Sequence, residues 1–491
     1  LNPLKKLASQ TAVYGLSQIL GRFVNYLLVP LYTALFTTGE YGINTLMYSY
    51  VTFFNVLLTY GMETAFFRFS QKSNKPEEVY STALRSLLIS SMAFGVLCTL
   101  AASPIAHLIQ IPNHPEYITI FAWVIALDAV SAVPFAYLRQ HNKAVKFAII
   151  KNINIFTNIL LNLYFLLLCP WVHQHKGILL PFYEGEVHVG LIFMSNLVAS
   201  LITLPLLWRE IMAIRNGAFN KTLWREMLVY GLPLMVVGFA GMINETLDRI
   251  VVSYAYPDAQ QGLAATGIYG ANYKLSILMS LFIQAFRYAA EPFFFSHAQT
   301  DNKRTIYASV MNYFVIICLA LFLMVMLYIN GFRHFINERY WEGLHVVPIL
   351  LIANMFLGIY YNLSIWYKLS DQTNKGAMIS LIGAGITITA NIVLVPIMGY
   401  TGSAWATLIC YTSMAVLCYA MGMKYYPIPY QVTRILGYIT FALVLYAVSL
   451  SWQKLGLDMV VQYALNALLL GLFGLVSYRF ERMNKIVNSP S

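Results

Sequence analysis

Glu245, Asp248, Arg249, Lys274, Arg287 and Glu291 stand in two consecutive long apolar segments, between about residues 229 and 296, of a chain otherwise poor in charge. A charge at mid-bilayer costs roughly 2.5–3.5 kcal/mol on insertion scales, so it normally faces a bundle interior or a watery cavity and has a partner. Six such residues in two segments point to a polar chamber. Across the whole chain the cations inside apolar segments are Arg22, Arg85, Lys151, Arg249, Lys274 and Arg287, and the acids are Glu63, Asp128, Glu245, Asp248 and Glu291. On a helix, Glu245 with Arg249 and Arg287 with Glu291 are i,i+4 partners, able to hold helices in register as neutral pairs. Asp248, next to Arg249 in sequence, can bond another span. Arg22, Lys151 and Lys274 have no acid within one turn of their own segments. Arg and Lys are the usual partners of phosphate, so these cations read as the lining for an anionic, phosphate-bearing ligand. Arg85 reads instead as a residue near the cytoplasmic interface that snorkels to it.

The elements that must position these groups are membrane helices. Of the 491 residues 59% are hydrophobic and 10% charged; a soluble globule has about 25% charged. The net charge of +11 is scattered in short clusters between apolar runs, which fits positive-inside topology and gives no continuous stripe for nucleic acid. The five cysteines fall in or at the ends of apolar runs, without metal-ligand spacing, and read as small buried hydrophobes. Lys5 and Lys6 open a long segment with no small-residue cleavage site, so no cleavable leader is expected.

At about 20 apolar residues per crossing the chain divides into fourteen spans, the first near 10–36, the second near 41–69 and the eighth near 262–296. Alternate loops then hold the basic residues, about five to one, which places both termini in the cytoplasm. Internal echoes suggest a duplication. Val13-Tyr14-Gly15-Leu16 resembles Val229-Tyr230-Gly231-Leu232, Tyr41-Gly42 resembles Tyr269-Gly270, and Glu63 before Phe66-Phe67 resembles Glu291 before Phe294-Phe295, the last two at a shift of about 228 residues. The expected fold is therefore an all-α polytopic membrane protein of fourteen transmembrane helices. An N-terminal lobe, 1–215, and a C-terminal lobe, 216–424, each take six spans around a central cavity, and 425–491 adds two spans and a cytoplasmic tail.

Amide and tyrosine side chains crowd the first two spans, among them Gln18, Asn25, Tyr32, Asn44, Tyr48 and Asn55. Such groups suit sugar rings, although interhelical hydrogen bonding accounts for any single one of them more simply. Pro30, Pro134, Pro205, Pro233, Pro292, Pro348 and Pro396 are candidate kinks or hinges. His173 and His175 lie in the longest external loop with acids nearby, a weak metal signal, and no metal or cofactor is expected. No nucleotide-binding loop or catalytic triad spacing is present, and no loop is long enough for an extramembrane domain, so transport without ATP is expected rather than enzymatic chemistry.

Residues 391–407, Asn-Ile-Val-Leu-Val-Pro-Ile-Met-Gly-Tyr-Thr-Gly-Ser-Ala-Trp-Ala-Thr, resemble the span–turn–span signature of bacterial polysaccharide transporters, flippases of the multidrug/oligosaccharidyl-lipid/polysaccharide exporter superfamily. Gly21-Arg22, Pro30-Leu31-Tyr32 and Glu40-Tyr41-Gly42 are similar to the opening of such proteins. Leu247-Asp248-Arg249 and the stretch from Gly267 to Leu275 are similar to their seventh and eighth spans. The resemblance implies two six-helix lobes around a V-shaped cavity and the passage of an isoprenoid-diphosphate-linked oligosaccharide from the cytoplasmic to the outer leaflet of the bacterial inner membrane, as in lipopolysaccharide synthesis. It implies Arg22, Arg249 and Lys274 at the head group, with Lys151 and Arg287 as further cations, and Glu63, Asp248 and Glu291, joined by Asp128 and Glu245, for gating or coupling to protons or sodium. Membrane lipid and a glycan polymerase are the implied partners. A multidrug cation antiporter of the same superfamily and a lipid II flippase are the rival readings; a membrane glycan polymerase or ligase is disfavoured by the short external loops.

Overall fold

The computed structural model describes residues 19, 21, 23–296, 303–455 and 457–487, and among them there are helices and turns with no strand. In chain order the helices are α1 Phe23–Leu35, α2 Thr38–Thr59, α3 Met62–Lys72, α4 Pro76–Leu100, α5 Ala102–Leu108, α6 Pro115–Gln140, α7 Ala144–Lys176, α8 Gly190–Leu206, α9 Trp208–Asn216, α10 Lys221–Tyr254, α11 Ala259–Leu275, α12 Ile277–Ser296, α13 Lys303–Leu327, α14 Glu338–Leu369, α15 Thr373–Met398, α16 Tyr400–Tyr425, α17 Val432–Lys454 and α18 Met459–Val487. Among the described residues ten of these are long and apolar enough to cross a membrane, and eleven if α8 and α9, bent by 60°, form one span. Helices α1, α2 with α3, and α11 with α12 fall where the sequence places the first, second and eighth spans. Their polar residues and breaks keep them below that measure: α2 carries Asn44, Thr45, Tyr48 and Asn55, and α12 carries Arg287 and Glu291.

The prolines act in two ways. Pro30 and Pro348 fall where the segments Val29–Leu35 of α1 and Val347–Leu363 of α14 begin, in a first turn whose missing N–H has no carbonyl to serve. Pro134, Pro233, Pro292 and Pro396 lie inside continuous helices, and Pro205 comes just before the sharp bend between α8 and α9.

The chain forms two compact units: Leu1–Gly270 with Thr387–Ser403, and Ala271–Ile386 with Ala404–Ser491. In the first unit α6 is the centre, the helix with the largest buried share of its apolar window, and α4 and α8 pack along it. Helix α2 starts with a capping box in which the Glu40 amide donates to the Thr37 hydroxyl and the Glu40 carboxylate accepts from the Thr37 amide at 2.8 Å. It ends at Tyr60-Gly61, both in the left-handed region, and Gly61 (φ +72°) lies against the backbone of Gly231 in α10. A Cβ at Gly42 would run into the Leu263 carbonyl and one at Gly267 into the Thr38 carbonyl, so α2 and α11 meet backbone to backbone, as membrane helices do through small residues. Arg85 does not reach into open solvent. Its guanidinium donates to the carbonyls of Ile214 and Gly217, at 3.4 and 3.1 Å, and so anchors the turn after α9.

In the second unit α13 and α14 are the most enclosed helices, and Phe282, Phe286 and Phe314 pack their rings together beside Gly358, where a Cβ would strike Phe314. The last two helices, α17 and α18, pack against α13, so they belong to this unit's core packing.

Gly61 is asked for two things that alanine lacks: an unstrained positive φ and room for the Gly231 backbone. Gly61→Ala is expected to destabilise the protein by about 2 kcal/mol or more, whereas Gly39→Ala, with nothing within 4 Å of the new methyl, is expected to leave the melting temperature in detergent unchanged or raised. Equal melting temperatures for the two variants would disprove this account of the α2–α3 break.

Candidate functional site

In the first unit Asp248 is the most enclosed of the acids expected in the spans, 4% exposed. Its carboxylate accepts from the Tyr269 hydroxyl of α11 at 2.7 Å and from the Arg249 guanidinium at 3.1 Å, and the same Arg249 nitrogen donates to the Glu245 carbonyl at 2.6 Å. Arg249 thus bonds the Glu245 backbone as well as a carboxylate. The neighbouring Asp248 provides the carboxylate, because the long guanidinium arm folds back along its own helix. Asp248 also reaches another helix, through Tyr269. The span–turn–span stretch closes over this group: Gly399 makes the left-handed turn between α15 and α16 (φ +57°), Ser403 donates to Asn391 at 2.7 Å and to the Asp248 carbonyl at 3.4 Å, and Thr387 donates to Asn244 at 3.0 Å.

A second set of charges joins α3, α6, α7 and α8. Glu63 forms an ion pair with Arg139 at the end of α6, and Asp128 accepts from Ser200 of α8 at 3.0 Å. Lys151 lies 4.3 Å over the Phe135 ring and close enough to Asp128, Glu63 and Arg139 to interact with each electrostatically. The cation that lacks an acid on its own helix therefore finds two on others. From Lys151 a ladder of amides runs along α7: Asn154 donates to Thr203 at 3.0 Å, Asn162 donates to Asn158 at 3.0 Å, and Tyr32 of α1 donates to Asn162 at 3.0 Å. This ladder lies at i, i+3, i+7 and i+11, a spacing visible in the sequence but not singled out there.

In the second unit Glu291 is paired with Lys368 of α14, and Arg287 lies 4.8 Å over the Tyr361 ring. The in-helix pairing of Arg287 with Glu291 that their spacing allows is replaced by partners on a neighbouring helix. Lys274 stands half-buried in the last turn of α11. Arg22 lies outside the described residues.

The two acid–base pairs stand at matching places in the sequence echo. Arg139 and Lys368, which sequence reasoning placed among loop cations, are separated by nearly the shift that separates Glu63 from Glu291. Other positions follow: Phe66 meets Tyr80 edge-on at 5.7 Å and Phe294 meets Tyr307 edge-on at 5.0 Å, and buried Asn162 and Asn391 each donate to the carbonyl four residues back. Among the described residues no three His, Cys, Asp or Glu side chains converge as for a metal ion.

Residues 7–299, more than half of the chain, match the family described as polysaccharide biosynthesis protein. No curated protein matches the sequence. Among solved structures, the lipid II flippase MurJ in an inward closed conformation is similar over 96% of this chain and 98% of its own, with a TM-score of 0.70 and 16% identity. A multidrug resistance MATE transporter of the MOP superfamily, in an inward-facing conformation, covers 86% of this chain and 94% of its own at a TM-score of 0.59 and 14% identity. A MOP superfamily transporter from Pyrococcus furiosus, described as having a binding pocket of reverse polarity that suggests a different function, gives the same coverage at 0.58 and 13%. At these identities the likeness is one of fold.

Because truncating one member of a buried ion pair strands its partner, Asp248→Ala is expected to cost about 3–5 kcal/mol, and Tyr269→Phe, which removes one hydrogen bond, about 1 kcal/mol. Thermal unfolding in detergent orders the two; an Asp248→Ala protein as stable as Tyr269→Phe would show that Arg249 does not depend on this carboxylate.

Proposed function

The chain belongs to the polysaccharide biosynthesis protein family, and on that premise we propose that it is a flippase carrying an isoprenoid-diphosphate-linked oligosaccharide from the cytoplasmic to the outer leaflet by alternating access. It does so across a bacterial inner membrane, in fourteen crossings with both termini in the cytoplasm and lobes at 1–215 and 216–424 followed by 425–491. Membership in the family carries the reading, and the half-buried Lys151 and Arg249 inside apolar helices support it. Each of these cations has carboxylates beside it, which is what allows a charge to reside in a span at all.

That balance also supplies a mechanism. A diphosphate reaching Lys151 or Arg249, with Arg22, Lys274 and Arg287 as further contacts, competes with Asp128, Glu63 or Asp248 for the same cation. A carboxylate that loses its counter-charge accepts a proton or a sodium ion instead, with Glu245 and Glu291 as further exchange positions, and this exchange couples head-group binding to an ion gradient. The amide ladder Asn154, Asn158 and Asn162 offers hydrogen bonds to glycan hydroxyls, and the lipid tail stays in the bilayer. A glycan polymerase takes the product on the outer side.

Reconstitution into liposomes with a fluorescent lipid-diphosphate oligosaccharide tests the reading. Wild type is expected to flip the lipid, and Arg22→Ala, Lys151→Gln and Arg249→Ala to slow flipping by about tenfold or more, the cost of roughly one charged contact. Export of a drug cation by a wild type that does not flip the lipid would overturn the proposal in favour of a multidrug antiporter.

A further inference from the structure

The second unit has a crevice built on its copy of the repeated ion pair. Phe286, Arg287, Glu291, Tyr361, Asn362 and Lys368 line it, and its enclosed part is small, about 20 Å³, opening outward to solvent. Its floor holds an anomaly: Asn362 is 1% exposed, and neither its amide nitrogen nor its amide oxygen has a hydrogen-bond partner. A buried amide left unsatisfied is costly, and such groups persist where a bound molecule completes them. At the rim Arg287 is exposed and rests on the Tyr361 ring, and among the described residues no carboxylate bonds it. Glu291 is turned to Lys368. Two cations and one acid leave one positive charge at the mouth, above a floor that can donate an amide N–H.

The duplication separates scaffold from specialisation. One repeat earlier, Glu63, Phe66 and Arg139 stand for Glu291, Phe294 and Lys368, but Thr59, Ala132, Val133 and Phe135 stand for Arg287, Tyr361, Asn362 and Ser364. Val133 and Phe135 are buried in that copy. The ion pair is thus common equipment that joins two helices. The cation, the aromatic shelf and the two polar groups stand in the second copy alone.

We propose that this crevice is an oxyanion subsite that holds one phosphate or carboxylate group of the lipid-linked substrate's head group, with Arg287 at the rim and Asn362 on the floor. The source of the anion rests on the flippase reading; the subsite itself does not. Positive-inside topology puts these helix ends on the cytoplasmic side, where the substrate is loaded.

The test replaces the added residues with those of the first copy, Asn362→Val and Arg287→Thr. Melting of the purified full-length protein is followed in sodium phosphate and sodium glucuronate against sodium chloride of equal ionic strength. Wild type should be stabilised saturably by at least one oxyanion, and each variant should need about tenfold more for the same shift. Asn362→Val alone should melt no lower than wild type without ligand. In liposomes, slowed flipping by the variants of a lipid diphosphate bearing a neutral glycan assigns the site to phosphate; slowing confined to a uronate-bearing glycan assigns it to the sugar carboxylate. Variants that respond to both oxyanions as wild type does, or a wild type indifferent to both, overturn the subsite. Loss of the anion response in the variants, with no flipping by wild type, keeps the subsite and removes the flippase.

Discussion

Asp248 meets the central constraint on this molecule, that a charge inside an apolar helix must be matched within reach of its own side chain. Its carboxylate neutralises Arg249 on the same helix and takes the Tyr269 hydroxyl from the next, and the hairpin turning at Gly399 is bonded to its backbone through Ser403. One acid therefore orients a cation, joins α10 to α11 and seats a distant part of the chain. In a bilayer interhelical hydrogen bonds contribute modestly one at a time, but a stranded charge is severely penalised, so the arrangement is enforced more by what its loss would cost than by what each contact contributes.

The same constraint is met by an ion pair at both places of the sequence echo. Glu63 with Arg139, and Glu291 with Lys368, each join a helix to the last turn of a long buried one. Around that joint the two places differ. The first surrounds it with Lys151, Asp128 and the amides of α7, and the second with Arg287 and Asn362.

Much of this was legible in the residues. The apolar runs, the basic loops and the echo near a shift of 228 follow from hydropathy and composition, which depend on the bilayer and not on partners. The likeness to polysaccharide transporters rested on short motifs such as Leu247-Asp248-Arg249 and the stretch around Gly399. The structure gives that stretch a physical role, a left-handed turn whose flanking Asn391 and Ser403 bond each other. Harder to read were the partners. Arg139 and Lys368 looked like loop cations because they lie at helix ends, yet both turn inward to an acid.

Sequence alone determined that this chain is a helical membrane protein with charges held inside its spans, because insertion and helix formation are local and sum over neighbouring residues. Only the tertiary structure decided which acid answers which cation. Spacing of four residues allowed Arg287 to meet Glu291, but its guanidinium went to a tyrosine ring, and the Arg249 guanidinium bonds the aspartate beside it in sequence. Such choices depend on which side chains neighbouring helices bring within a few ångströms, and that follows from the packing of helices far apart in the chain.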